Sequence, residues 1–473
     1  MVINNSNRQI IFKGMLILLL HFLSNQLLNA QTEKKSMAAF FYNQTPPHLY
    51  DIILSRPTDR SITFSILCDD DIIGYLQYDE ILTGMNKRTS EIHFQKGIAN
   101  SFVLNGLQSD KRYYYRFVYR KLNISDFEKS TINYFQTQRK EGNRFVFDIQ
   151  ADSHLDENTG TEMYARTLRN ICEDSADFLV DLGDTWMTDK YSPTFKDSYK
   201  QYIAQRYYFG IPGRTTSVFL TLGNHDGESE KRRNDTGNES MLAWATTIRK
   251  QYYCNPEPDD FYKGCMKGDQ NYYSWDWGNA LFIVLDPFRY TQSNRDPWNR
   301  TLGKTQYDWL EETLSKSTKK FKFIFIHNLV GGADNKGLAR GGVEASAFFE
   351  WGGLNIDSTN GFSAHRPDWA KPIHNLLVEH HVSAVFHGHD HVFVKQIRDN
   401  IIYQTLPQPG AERYGNISSA ADYGYRSGII MNAPGYLRVT LEKDSAKIDF
   451  IQSAISELHK NKMILHSYSI SSK

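Results

Sequence analysis

The chain has 473 residues with 40% hydrophobic and 14% aromatic content, enough for a sizeable core and, at ordinary domain lengths, for two folding units. Lysine plus arginine and aspartate plus glutamate each number 54, so no excess charge holds a polyanion such as DNA or an acidic membrane surface. Four cysteines, Cys68, Cys172, Cys254 and Cys265, are too few for a disulfide scaffold, and none has the Cys-x-x-Cys spacing of a zinc or redox site.

Arg8 and Lys13 precede the apolar run from Met15 to Leu23, and a polar stretch then ends in Leu28-Asn29-Ala30-Gln31. This is the layout of a secretory signal peptide over residues 1–30, cut after Ala30. A bilayer span takes about 20 apolar residues and this run is far shorter, so no stable membrane anchor is expected once it is removed. The expected location is secreted or periplasmic.

Residues 31–44 form a polar spacer, and Thr45-Pro46-Pro47 marks an entry turn. From 45 to 140 the chain reads as short strands of alternating polarity: Ser61 to Leu67, Gly74 to Tyr78, Glu91 to Phe94 and Tyr113 to Tyr119. That texture describes an antiparallel β-sandwich. The segment from Phe102 to Leu107, with the Tyr-rich strand after it, resembles the end of a fibronectin type III domain.

At Gly142-Asn143 the texture changes, and residues 143–455 alternate apolar strands with helices, which argues for an α/β domain. Tyr164, Leu168 and Ile171 share one helical face; Tyr307, Leu310 and Leu314 share another. Trp275 to Leu285 reads as a hairpin turning at Gly278-Asn279, and Tyr436 to Leu441 with Ala446 to Ile451 reads as a second, followed by a polar tail over 456–473. Cys254 and Cys265 bracket the loop-like Asn255-Pro256-Glu257-Pro258; a bridge and two unpaired thiols both stay open. Residues 328–373 are a long Gly-rich insertion whose Phe348, Phe349, Trp351 and Phe362 suggest an ordered cover over a site.

Five apolar strands of this second part end in metal-ligand residues. Phe145 to Gln150 runs into Asp152-Ser153-His154, Phe178 to Leu182 into Gly183-Asp184, and Ser217 to Leu222 into Gly223-Asn224-His225-Asp226. Phe321 to Ile326 ends in His327, and Val382 to Phe386 leads through His387 into Gly388-His389-Asp390-His391. Ligands of open α/β sheets bind outside the carboxyl ends of the strands, so these residues can converge. In Asp152-x-His154 and His389-x-His391 the i, i+2 spacing puts both side chains on one side of extended backbone. Carboxylates, imidazoles and an amide oxygen without thiolate suit Mn, Fe or Zn.

In this order the motifs resemble the signature of the calcineurin-like metallophosphoesterases, and the sandwich before them resembles the arrangement in purple acid phosphatases. The resemblance implies a four-layer αββα domain of two packed sheets flanked by helices, around two metal ions. It implies that Asp152, His154 and His391 hold one ion, that Asn224, His327 and His389 hold the other, and that Asp184 bridges them. His225 would not ligate; it would face the substrate and protonate the leaving group or stabilise the transition state, with Asp226 orienting it. One departure is Met187, where purple acid phosphatases carry a tyrosine ligand, so no tyrosinate-to-iron colour is expected.

The expected function is hydrolysis of small phosphomonoesters or phosphodiesters by attack of a hydroxide held between two cations about 3.5–4 Å apart. No nucleic acid partner is expected. Two rivals stay open: a non-catalytic exported binding protein that uses the β-sandwich, and a mononuclear metal enzyme. Outside the five strand ends, His387 reads as a support of the metal loop, Asp286 as a turn former before Pro287, and Arg340 as a solvated loop residue with a lesser claim on a substrate phosphate.

Overall fold

Alternating polarity in the first part resolves into two antiparallel sheets in a computed structural model, which describes residues 45–472 apart from 157, 192–194, 231–239, 293–295, 333–339, 416 and 418. The expected signal peptide and spacer, and positions 333–339 of the Gly-rich insertion, lie outside the described residues. One sheet orders Tyr50–Ser55, Ser61–Cys68 and Asn100–Asn105. The other centres on the pair Ile72–Asp79 and Arg112–Lys121. Every second side chain points inward, so Ile62, Phe64 and Ile66 meet Tyr113, Tyr115 and Phe117 in one core.

The second part packs two mixed sheets face to face. The first runs Ser217–Leu220, Phe178–Asp181, Phe145–Gln150, Gly435–Leu441, Ser445–Gln452, Ile464–Ser471, with the first three strands parallel. The second has eight strands, and its middle holds Ala280–Val284, Phe321–Phe325, Ala384–His387 and Ile401–Thr405 in parallel. Phe147, Phe178 and Phe219 of the first sheet interlock with Phe282, Phe323 and Phe386 of the second. On the outer face of the second sheet, Tyr307, Leu310 and Leu314 of the helix Lys304–Lys316 and Leu376 and Leu377 of the helix Ile373–Glu379 cover Ile283, Ile324 and Val385. The helices Thr161–Asp174 and Phe195–Gly213 pack on the first sheet. The architecture is mixed α/β in layers, as expected, and both predicted hairpins form.

Two expectations change, and one open alternative closes. Residues 456–473, read as a polar tail, contain the strand Ile464–Ser471, which pairs antiparallel with Ser445–Gln452. Its polar alternation disguised it: on an edge strand one face meets solvent, and Ile470 is its one buried residue, with Leu465 and Tyr468 packed against the core. Cys254 and Cys265 form no bridge, and the Cys254 thiol lies 3.0 Å from the Ser101 hydroxyl of the sandwich instead. The described part of the Gly-rich insertion packs outward, with Ala345 and Trp351 in the outer cluster of the second sheet. It meets the loop of His389 and Asp390 through Arg340 and Gly341.

Helix Phe195–Gly213 ties these parts together. Buried Arg206 donates to Asp51, to Ser65 Oγ at 3.0 Å and to the Tyr252 carbonyl, which joins sandwich to α/β domain. The residue before it, Gln205, donates from Nε2 to the Ser153 carbonyl at 3.0 Å, and one turn earlier still Gln201 accepts from Met187 N at 3.0 Å. The same helix thus holds two loops that carry candidate ligands.

Candidate metal centre

Both sheets point the carboxyl ends of their parallel strands to one edge, and the five strand ends meet there. Asp152, His154 and His391 place ligand atoms within 4.8 Å of one another, and Asp184, His327 and His389 do the same. Asn224 belongs to the second group, with its Oδ1 3.1 Å from His327 Nε2. Asp184 lies where its charge acts on His327 and also on His154. Of these residues only Asn224 and His391 are partly exposed.

Aiming these side chains inward takes an unusual backbone. Asp152, Asp184, His389 and His391 all have positive φ, between 51° and 70°. Non-glycine residues in that region cost about 1–3 kcal/mol each, a strain that folds retain at functional sites. Two glycines permit the approach. A Cβ on Gly223 would lie 2.0 Å from Asp184 N, and one on Gly388 would lie 2.7 Å from Asp152 Oδ2. At these positions the strand ends pack against each other's ligand loops, closer than any side chain allows.

The donor set asks for a cation. His327 Nδ1–H donates to the Leu182 carbonyl at 2.9 Å, so its Nε2 is the free nitrogen, and it faces Asp184 Oδ2 at 3.3 Å as well as Asn224 Oδ1. Three acceptor atoms converge, and a positive charge must sit among them: a proton here, or a metal ion. Burial pulls the His327 pKa down, but the Asp184 carboxylate outweighs it and pushes it up to about 10. In turn His327 holds Asp184 well below the usual carboxylate range against the upward pull of burial. The first group repeats the pattern, with Asp152 Oδ1 3.3 Å from His391 Nε2. Burial lowers His391 and also His389. Buried carboxylates and imidazoles in this arrangement fit two divalent ions.

His225 is 24% exposed at the side chain, and its backbone N–H donates to Asp184 Oδ1 at 2.7 Å. Its Nδ1 meets Asp189 Oδ1 at 2.8 Å. The orienting carboxylate is therefore Asp189, and the expectation for Asp226 is corrected. Asp226 turns inward and accepts from Trp186 N at 2.9 Å and Gly223 N at 2.7 Å, which pins the two ligand turns to each other. Adjacency in sequence suggested the wrong partner because the turn sends neighbouring side chains in opposite directions.

Two more residues at the centre escaped the sequence reading. Asp156 Oδ2 lies 3.3 Å from His154 Nδ1, and Gln408 Nε2 lies 3.1 Å from His154 Nε2. Asp156 continues the i, i+2 series of Asp152 and His154, which was its signal. Gln408 follows a sixth apolar strand end, Ile401–Thr405, inside Pro407-Gln408-Pro409-Gly410. Burial pulls the His154 imidazole down, and the Asp156 carboxylate outweighs it, so the net shift is upward.

The remaining readings also find their places. His387 is buried with Nε2 3.0 Å from Thr405 Oγ1, and burial pulls it down to about 3. Asp286 accepts from Phe288 N at 2.8 Å as a turn former does. Arg340 is neither solvated nor free for substrate: it pairs with Asp390 Oδ1 at 3.3 Å and stacks 4.1 Å from the Tyr423 ring centre. Met187 is buried.

Comparison with known proteins bears on this geometry. Residues 145–393 match a family model described as calcineurin-like phosphoesterase. The structure of PhoD aligns with a TM-score of 0.61 at 16% identity, covering 89% of this chain and 88% of its own. A purple acid phosphatase from yellow lupin seeds aligns with a TM-score of 0.59 at 13% identity, covering 90% of this chain and 75% of its own. No curated protein sequence matches the chain. Among the described residues no helix is long and apolar enough to cross a membrane.

Proposed function

The chain belongs to the calcineurin-like phosphoesterase family, and from that premise we propose that it is a secreted or periplasmic two-metal hydrolase of small phosphate esters. The observation that carries this reading is the pair of ligand groups at one sheet edge, with the Asp184 carboxylate acting on histidines of both. Asp152, His154 and His391 would hold one ion, Asn224, His327 and His389 the other, and Asp184 would serve both. Two bound cations supply Lewis acidity, which clamps a phosphoryl group and activates water.

The chain's own residues then supply the proton. With Nδ1 held by Asp189 at 2.8 Å, His225 has Nε2 left to deliver a proton to the departing ester oxygen. The Asp189 carboxylate fixes the ring's orientation. The nucleophile is water, and no covalent phosphoenzyme forms. Export rests on the charged and apolar pattern of residues 1–30 and is checked by N-terminal sequencing of mature protein, which should begin at Gln31.

The test is hydrolysis of aryl phosphate monoesters and diesters by purified chain reconstituted with Mn, Zn or Fe, alongside elemental analysis. Two ions per chain and metal-dependent turnover are expected. Turnover no higher than that of an Asp184→Asn control across all esters would sink the reading. One ion per chain with turnover would favour a mononuclear enzyme, and no ion at all a binding protein.

A further inference from the structure

We propose that Gln408 is a fifth protein ligand of the first ion, beside Asp152, His154, His391 and Asp184, and that it tilts that position towards ions of higher coordination number. The proposal rests on the two-metal reading. Gln408 is only 3% exposed. It follows the strand Ile401–Thr405, the parallel neighbour of Ala384–His387, so strand order alone delivers it beside the loop of His389 and His391.

Its hydrogen bonding is the wrong way round for a structural residue. His154 Nδ1 stands 3.3 Å from the Asp156 carboxylate, a negative charge that favours the ring proton on Nδ1 and the lone pair on Nε2. That lone pair is the ligand atom, and the Gln408 amide Nε2 sits 3.1 Å from it. The Gln408 carbonyl Oε1 is buried with no hydrogen-bond partner among the described residues. An unpaired buried acceptor costs about 1–3 kcal/mol.

A half-turn of the carboxamide exchanges Oε1 and Nε2, and a cation makes the turn favourable. Once the His154 lone pair is engaged, the amide N–H loses its acceptor, while the carbonyl gains an electrophile. The spacing fits. Two donor atoms each about 2.0–2.2 Å from one ion, and roughly a right angle apart, are separated by about 3 Å, the distance at which Gln408 already stands from His154 Nε2. An amide adds a hard oxygen and no charge. Such a donor suits Mn²⁺ or iron better than Zn²⁺, which is content with four ligands.

The experiment is metal titration of the full purified chain, followed by calorimetry and elemental analysis, for wild type, Gln408→Leu and Gln408→Glu. Unfolding of the metal-free proteins serves as the check that each variant folds. Wild type should take up two Mn²⁺. Gln408→Leu should keep one at wild-type affinity and bind the other about 10-fold or more weakly, with a smaller loss for Zn²⁺. Gln408→Glu, which retains an oxygen, should hold both. Visible absorption of bound Co²⁺ should intensify in Gln408→Leu, as it does when coordination number falls. The proposal is overturned by a Gln408→Leu protein with wild-type Mn²⁺ affinities and an unchanged Co²⁺ spectrum, or by Gln408→Glu failing in the same way as Gln408→Leu. Wild type that binds fewer than two ions would instead bring down the two-metal reading, and Gln408 with it.

Discussion

The two ligand groups are built from the same residue types but are held in different ways. In the second, Asp184, His327 and His389 are all buried, and the main chain does the holding: the Leu182 carbonyl takes the His327 proton, and Gly388 N donates to the His327 carbonyl at 2.9 Å. In the first, Asp152 accepts from His389 N at 2.9 Å, but the His391 side chain is 28% exposed, and the His154 ring meets side chains only, Asp156 beside one nitrogen and Gln408 at the other. Main-chain supports come with the fold and cannot be substituted away. Side-chain supports can vary from one sequence to another, so the first position is where this chain tunes its ion.

The harshest test removes what both groups share. Asp184→Asn should abolish tight binding of both ions and reduce turnover to the blank, since Asp184 carries the only carboxylate of the second group. If one ion survives at full affinity, the groups are independent and the shared role is wrong. Next in size, His225→Ala should leave two ions bound and cost about 10²–10⁴-fold in kcat, the range of a general acid. Asp189→Asn should follow it in the same direction by a smaller factor. Loss of metal from His225→Ala would make it a ligand instead.

A third substitution separates the groups. Asp156→Asn should weaken the first ion by about 10–100-fold, as loss of a carboxylate behind a ligating histidine does, and leave the second untouched. Equal weakening of both would erase the contrast between side-chain and main-chain support. Dialysis against a chelator, with the ions counted as they leave, reads both positions at once.

How much of this the sequence discloses follows the same division. The convergence of the candidate ligands on strand ends was legible, because an apolar run that stops at such a residue leaves it at a known edge of a known layer. Both hairpins were legible through their turns. The supports were not. Asp189 reaches His225 across 36 residues of sequence, and Gln408 reaches His154 across 254, which are distances no local pattern encodes. Asp226 misled because nearness in sequence is no measure of direction once the backbone turns over. The last strand was missed because edge strands need only one apolar face, and the Cys254–Cys265 loop carries no signal that its thiols part.

The smallest effect concerns the strand that feeds the first group. Asp148, in the middle of Phe145–Gln150, is fully buried, and among the described residues neither of its carboxylate oxygens has a hydrogen-bond partner. Burial, helped by the charge of Asp174, raises its pKa well above the usual carboxylate range. In the unfolded chain it would titrate near about 3.9. A raised folded value means that the fold prefers the protonated acid, so this contribution is fully present below the unfolded pKa and is lost as pH rises through the folded one. Over that window wild type should lose up to about 1.4 kcal/mol of stability per pH unit relative to Asp148→Asn, which has the same shape and nothing to titrate. Denaturant unfolding of the metal-free proteins from acid to neutral pH gives the difference directly, with other carboxylates cancelling between the two. Parallel curves would mean that Asp148 is ionised in the fold and partnered after all. Diverging curves would show that the strand behind Asp152 carries a built-in cost, and that the first group stands on the weaker of the two foundations.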